Sequence, residues 1–260
     1  MGNEKSIRCV GIDPAPSNET CVYDPEGIFG NEAFKKLNYA EMYEQLCALK
    51  ATDQILIGWD APLTARSNFG DEYKEGDLYR RAIETKWQLK VKDVKGISVL
   101  GYAAAPHWTI SQYCLGLPNV GGAMGCGKPK RLKLLTEGPA RIDEPSVVEV
   151  HPAVALWGWL KDTGYGRRLN NIWRYKGHNR ERTKITPFRR MKCHYEALKF
   201  VWREIDDTLK VPVSVANHDE LDAVIAYLLC RLWVDRPKLV EMEGSLAEGA
   251  WLLPVGELNN

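Results

Sequence analysis

Two apolar runs in this chain each end on an aspartate that is followed within two residues by proline: Ile7–Asp13 in SIRCVGIDPAP and Ile55–Asp60 in QILIGWDAP. Short runs that are apolar throughout read as strands buried on both faces, the kind found in the middle of an open α/β sheet. Such sheets bind their ligands beyond the carboxyl ends of the strands, where both aspartates fall. Neighbouring strands lie about 5 Å apart, so two ionised carboxylates ending adjacent strands repel by roughly 3 kcal/mol at an effective dielectric near 20. One of them then takes up a proton, or both share a cation, and a divalent metal is the natural resolution. The plainer account, an Asp-Pro turn at a strand end, has to be invoked twice.

Composition bounds the fold. With 260 residues and 45% hydrophobic content the chain can bury one large core or two modest ones. A single domain over residues 1–260 is expected. The net charge of +1 gives no global attraction to nucleic acid or membrane, so charge has to be read locally. The seven cysteines contain no CxxC pair and are odd in number, which argues against a disulfide framework or a zinc knuckle. The stretch MGNEKSIRC lacks the apolar segment of a signal peptide, and no run approaches a membrane span. A cytoplasmic protein without a membrane partner is expected.

Along the chain, 6–13 reads as a buried strand, 19–24 and 27–30 as shorter strands, 39–50 as an amphipathic helix and 54–60 as the next strand. A three-strand meander, a helix and a strand returning beside the first is how the first half of a ribonuclease H-like sheet is built, and it places Asp13 next to Asp60. The expected fold is therefore α/β, a mixed five-stranded sheet with flanking helices. Residues 77–90 are helical in pattern, while 101–145, rich in glycine and proline in its first thirty residues, reads as an irregular insertion. A strand at Val147–Val150 runs into His151-Pro152 and an apolar helix. From Pro187 a long helix carries Phe188, Met191, Tyr195, Leu198, Trp202, Ile205 and Leu209 at alternating spacings of three and four, a core stripe. The last helix opens at NHDELDA and runs through Arg236, and residues 239–254 suggest a closing hairpin.

That last helix adds acidic candidates. Asp219 and Asp222 are three apart near its amino end, and Asp222 shares its face with Ile225, Ala226 and Leu229. A carboxylate in an apolar stripe needs a partner, because burying it alone is costly. For Asp219 the competing account is charge placed near the helix dipole, with Asn217 and Glu220 forming a capping box. In VVEVHP, Glu149 and His151 alternate onto one side of their strand, where Glu149 would serve as a further ligand or base and His151 as a proton carrier or phosphate contact. A satisfied polar pair at a strand end is the bland alternative.

The segments GIDPAPS, IGWDAPL, VVEVHPAVAL and HDELDAVIAYLL, in that order and over roughly residues 6–235, resemble the domain of unknown function 429 family, predicted nucleases with a ribonuclease H-like fold. The resemblance implies a metal-dependent acidic site on Asp13, Asp60, Glu149 and Asp222, with Asp219 a further metal ligand. This chain departs from the family at PAPSNET, where a glycine and a tryptophan often follow the first aspartate. The implied chemistry is phosphodiester hydrolysis with two divalent ions about 4 Å apart, Mg²⁺ or Mn²⁺ suiting the hard oxygen ligands. Asp13 would bridge the ions, and Asp60 and Asp222 would hold one each. A homodimer is compatible with this reading, although no segment declares an interface.

A nuclease also needs a surface for a polyanion. Residues 161–192 hold eleven lysines and arginines against Asp162 and Glu181, with Tyr165, Trp173, Tyr175 and Phe188 interleaved. Arg167, Arg168, Trp173, Arg174, Lys176, Arg180 and Arg182 are the expected nucleic-acid contacts, the cations neutralising phosphate and the indole stacking a base. A solvated basic face balancing acidic surface elsewhere is the plainer account. Two rivals use other chemistry. Gly122–Lys128 fits the phosphate-cradling GxxxxGK loop, but Pro129 stands where that loop needs a hydroxyl for magnesium. An actin-like ATPase or kinase would use the GID turn and Ser17, but a second phosphate-binding glycine motif is missing. A non-catalytic nucleic-acid-binding module has no use for carboxylates that repel phosphate.

Overall fold

A computed structural model describes residues 6–15, 19–63, 81–97, 132–177 and 185–255 of the chain. Strands β1 (Arg8–Asp13), β2 (Thr20–Tyr23), β3 (Phe34–Leu37), β4 (Ile55–Trp59), β5 (Lys133–Leu135) and β6 (Ser146–Glu149) form one mixed sheet in the order β3-β2-β1-β4-β6-β5. β1 pairs antiparallel with β2, and β2 with β3, while β1–β4, β4–β6 and β6–β5 pair parallel. The helices are α1 (Tyr39–Ala48), α2 (Ala82–Lys90), α3 (Pro152–Leu160), α4 (Gly164–Arg168), α5 (Pro187–Ile205) and α6 (His218–Asp235). A separate hairpin of β7 (Val240–Ser245) and β8 (Gly249–Pro254) closes the chain.

The interiors of the central strands are apolar because both faces of the sheet are covered. Val10, Ile12, Val22 and Ile57 pack with Met42 and Leu46 of α1 on one face. Cys9, Cys21, Leu56 and Val148 pack on the other, against a core built from α3, α5 and α6. The helix starts follow local chemistry. Asn38 and Glu41 form a reciprocal capping box on α1, Thr186 caps α5 ahead of Pro187, and the Asn217 side chain accepts from the Glu220 N–H to start α6.

The closest packing in the sheet is glycine against helix. Gly11 of β1 and Gly58 of β4 are register partners, and α6 lies across both. A Cβ on Gly11 would stand 1.9 Å from the Ala223 carbonyl oxygen and 2.4 Å from the Tyr227 nitrogen, and one on Gly58 would stand 2.5 Å from the Ala226 carbonyl oxygen. Any side chain here therefore meets helix backbone, which cannot rotate away.

Four sequence expectations change. Residues 27–30 form a turn and not a strand: Asp24, buried after β2, accepts the N–H groups of Ile28 at 2.9 Å and Phe29 at 2.6 Å, and Gly27 takes a φ of +69°. The third strand of the meander is instead Phe34–Leu37. Among the described residues the sheet has six strands rather than five, because the Lys133–Leu135 stretch of the segment 101–145, expected to be irregular, adds a parallel edge to β6. Phe188 lies at the solvent side of α5, 44% exposed, and Leu209 falls beyond the helix end at Ile205, although Met191, Tyr195, Leu198 and Trp202 are core as expected. Most of that insertion, together with 64–80, Ser17, the Gly122–Lys128 loop, Arg180 and Arg182, lies outside the described residues. Among the described residues, no helix is long and apolar enough to cross a membrane.

Gly11→Ala is expected to destabilise the protein by about 2–3 kcal/mol or more in urea unfolding, because overpacking against backbone is poorly relieved. Gly164→Ala, where an added Cβ meets nothing within 4 Å, should change stability by less than about 0.5 kcal/mol. Equal effects at the two positions would contradict the tight helix–sheet contact.

Candidate metal centre

Strand alternation decides which way the two strand-end aspartates point. Cys9, Gly11 and Asp13 fall on one face of β1, as Leu56, Gly58 and Asp60 do along β4, and that is the face α6 covers. The Asp60 N–H donates to the Ile12 carbonyl at 3.0 Å, continuing the ladder one residue past β4. Asp222, in the second turn of α6, immediately precedes Ala223, whose carbonyl touches Gly11. Glycine contact, strand pleat and helix register together bring Asp13, Asp60 and Asp222 into one group, with one ligand oxygen from each lying within 4.8 Å of the others.

Two residues that sequence reasoning did not place here complete the group. Tyr175 donates its hydroxyl to Asp222 Oδ1 at 2.6 Å. Lys176 Nζ lies 2.5 Å from Asp222 Oδ2 and 4.0 Å from Asp60 Oδ2. The lysine contact is an ion pair without hydrogen-bond alignment, so Asp222 Oδ2, on a fully buried residue, accepts no hydrogen bond. Lys176 was expected on a nucleic-acid surface. Nothing in its sequence neighbourhood distinguishes it from the other cations of the basic segment, because its partners arrive from three distant elements.

The electrostatics follow from the crowding. Burial first, then repulsion from Asp60 and Asp222, raises the Asp13 pKa well above the ordinary carboxylate range, with Lys176 opposing. Burial pushes the Asp60 carboxyl up to about 7, with Lys176 opposing and Asp222 and Glu149 adding to the rise. Partial burial disfavours the Lys176 ammonium, but Asp222, Tyr175, Asp60 and Asp13 outweigh it and raise its pKa. Three ionised carboxylates with one ammonium leave an excess of two negative charges. The donor set, three hard carboxylate oxygens with a buried acceptor among them, fits a divalent cation of the Mg²⁺ or Mn²⁺ type.

The other sequence candidates sit elsewhere. Asp219 is outside the three-carboxylate group; its side chain is 44% exposed and pairs with His218 Nε2 at 3.1 Å, in the first turn where the helix dipole favours it. Glu149 is buried but engaged by protein donors: Leu63 N–H at 2.8 Å and Arg81 Nη1 at 2.9 Å on Oε2, Arg81 Nη2 at 2.5 Å and Trp251 Nε1 at 2.7 Å on Oε1. It thus holds the turn after Asp60 rather than offering a free ligand or base. Arg81 also pairs with Glu84, and this buried lock depends on residues far apart in sequence. His151 does share a side with Glu149, and its ring lies 4.6 Å from that of Trp251. Its Nδ1 accepts the Val154 N–H at the start of α3, and burial, with Lys176 adding, pushes its pKa down to about 3. With Nδ1 accepting, the neutral ring carries its proton on Nε2, which is then a hydrogen-bond donor.

Among the nucleic-acid candidates, Trp173 is 3% exposed and stacks on His194 with centroids 5.8 Å apart, so its face is used by the core and not by a base. Arg167, Arg168 and Arg174 are exposed, their guanidiniums reaching the carbonyls of Asp162, Gly164 and Lys176 respectively. The chain matches no family model, no curated protein and no solved structure.

Because the folded pKa of Asp60 is raised to about 7 from an unfolded value near 3.8, the proton it holds favours the folded state. That stability is present in full below the unfolded value and is lost as pH rises through about 7. In EDTA, the urea midpoint of the wild type relative to Asp60→Asn should fall between pH 5 and pH 8, and Mn²⁺ should restore it at pH 8 more than at pH 5. A relative midpoint that rises across this window would contradict the crowded site.

Proposed function

We propose that this chain is a metal-dependent nuclease with a ribonuclease H-like sheet. The observation that carries the proposal is the convergence of Asp13, Asp60 and Asp222 within 4.8 Å at the carboxyl ends of adjacent parallel strands, under a helix that delivers the third carboxylate. The strand order β3-β2-β1-β4-β6, with α1 between β3 and β4, is the arrangement that the resemblance to the domain of unknown function 429 family implies, and β5 adds an edge to it. Within this group Asp13 and Asp60 would hold Mg²⁺ or Mn²⁺, with Asp222 beside them; the ion when bound would supply a water-derived nucleophile and a positive charge opposite the leaving oxygen.

The chain's own residues set up that chemistry. Tyr175 orients the Asp222 carboxylate through its hydroxyl, and Glu149 keeps the Asp60 turn in place through Leu63 and Arg81. His151, whose Nδ1 accepts the Val154 N–H, would contribute a phosphate contact through Nε2. The exposed guanidiniums of Arg167, Arg168 and Arg174 offer salt-dependent contact to a nucleic-acid backbone, with Arg180 and Arg182 following in sequence. The cytoplasm is the compartment consistent with free, buried cysteines such as Cys9, Cys21 and Cys230.

A labelled panel of single-stranded DNA and RNA, duplex, hybrid and four-way junction, incubated with Mn²⁺, tests this reading. Cleavage of at least one substrate is expected, abolished by EDTA and reduced at least about 1,000-fold in Asp13→Asn and Asp60→Asn, since loss of several kcal/mol of metal stabilisation is at stake. Binding without cleavage, indifferent to EDTA, would replace the nuclease with a nucleic-acid-binding module. Phosphate release from a nucleotide would replace it with ATPase chemistry.

A further inference from the structure

Lys176 differs from the other described cations of the basic segment. Arg167 and Arg168 rest on backbone carbonyls at the surface, and Arg190 is tied to the carbonyls of Arg174 and Ile185. Lys176 instead places its ammonium between two of the three clustered carboxylates, 2.5 Å from Asp222 Oδ2 and 4.0 Å from Asp60 Oδ2. Its side chain is 42% exposed, so the stem reaches the cluster from the solvent side, where a substrate phosphate would arrive.

The charges and ligand oxygens argue against two metal ions beside this lysine. With all three carboxylates ionised, as ligation of an ion requires, and Lys176 in place, the excess is two negative charges, which one divalent ion neutralises and two would reverse. Asp222 is the ligand a second ion would need, yet its Oδ1 holds the Tyr175 hydroxyl at 2.6 Å and its Oδ2 faces the ammonium. A second ion on Asp222 would have to expel Lys176 or sit against it. The ammonium is thus a tethered counter-ion already lodged in an acidic cluster that needs cations.

We propose that Lys176 is the second cation of this site: the chain binds one divalent ion, through Asp13 and Asp60, and the Lys176 ammonium, anchored by Asp222, meets a non-bridging oxygen of the substrate phosphodiester. This rests on the metal-nuclease reading above. A lysine delivers a point charge with three donors and no demand for octahedral ligands, which suits a position where Asp222 offers a single unshared oxygen.

Counting bound Mn²⁺ on the full chain tests the proposal without reference to activity. Isothermal titration calorimetry at pH 8, with unbound Mn²⁺ read by electron paramagnetic resonance, should give one ion for the wild type, one for Lys176→Arg and two for Lys176→Gln. Circular dichroism checks that each variant folds, and Lys176→Met provides the same count if Lys176→Gln does not. Two ions in the wild type, or one ion in every variant, would overturn the role of Lys176 and leave the metal site standing. No ion in either the wild type or the neutral variant would overturn the metal-nuclease reading itself.

Discussion

The structure depends on how closely α6 approaches the sheet. Two register-paired glycines, Gly11 and Gly58, remove the side chains that would otherwise hold the helix off, and the carbonyls of Ala223 and Ala226 occupy that space. Ordinary helix–sheet packing keeps a layer of side chains between the two backbones. Here the helix backbone touches the strand backbone, and a residue one position before Ala223 is delivered to the ends of β1 and β4. Asp222 can join Asp13 and Asp60 only because of that contact. The glycines are therefore as much a part of the site as the carboxylates, although neither glycine touches one.

Bringing three carboxylates together carries a cost that the surrounding residues divide. At separations near 5 Å and an effective dielectric near 20, each ionised pair repels by about 3 kcal/mol, and three such pairs reach on the order of 10 kcal/mol. That rivals the whole stability of a typical domain, about 5–15 kcal/mol. Some of the repulsion is relieved by protons, since Asp13 and Asp60 both have raised pKa values, and some by Lys176. Glu149 avoids the problem by pairing with Arg81 in a separate buried lock, which is why it does not join the cluster despite lying on the neighbouring strand. Two acidic residues on adjacent strand ends thus have different surroundings: Glu149 is held by an arginine it shares with Glu84, an indole and a backbone N–H, whereas Asp60 lies in the carboxylate cluster.

What was legible in the sequence were features that local periodicity determines. The apolar runs of β1 and β4, the meander–helix–strand succession, the helix beginning at Asn217 and the closing hairpin all follow from spacing and turn chemistry, and so did the pairing of Asp13 with Asp60. The third strand was misplaced because the Asp24 side chain, a long-reach cap, turns 27–30 into a loop that composition alone makes strand-like. The edge strand Lys133–Leu135 was missed because three residues carry no readable period. Trp173, set in a run of cations, reads as a base-stacking residue, yet its ring is stacked on His194 of α5. Tyr175 and Lys176 were assigned to the surface for the same reason: tertiary contact, not spacing, makes them part of the site.

On the proposed nuclease reading, the segment that carries Lys176 would link two needs of a polyanion-cleaving enzyme that composition treats as separate. A basic run usually concentrates phosphate at a surface, and an acidic cluster repels it until cations arrive. In this chain one cation of the run crosses into the cluster, and its carbonyl meanwhile accepts from Arg174 at 3.3 Å, so the residues that attract a backbone and the residue that would receive its phosphate are adjacent along one strip of chain. A phosphate guided along the exposed guanidiniums would pass into a site where, with a divalent ion bound, positive and negative charges are nearly matched. Such a step down in net positive potential would hold the phosphate by specific geometry rather than by bulk charge, the condition under which a bound anion can both react and leave.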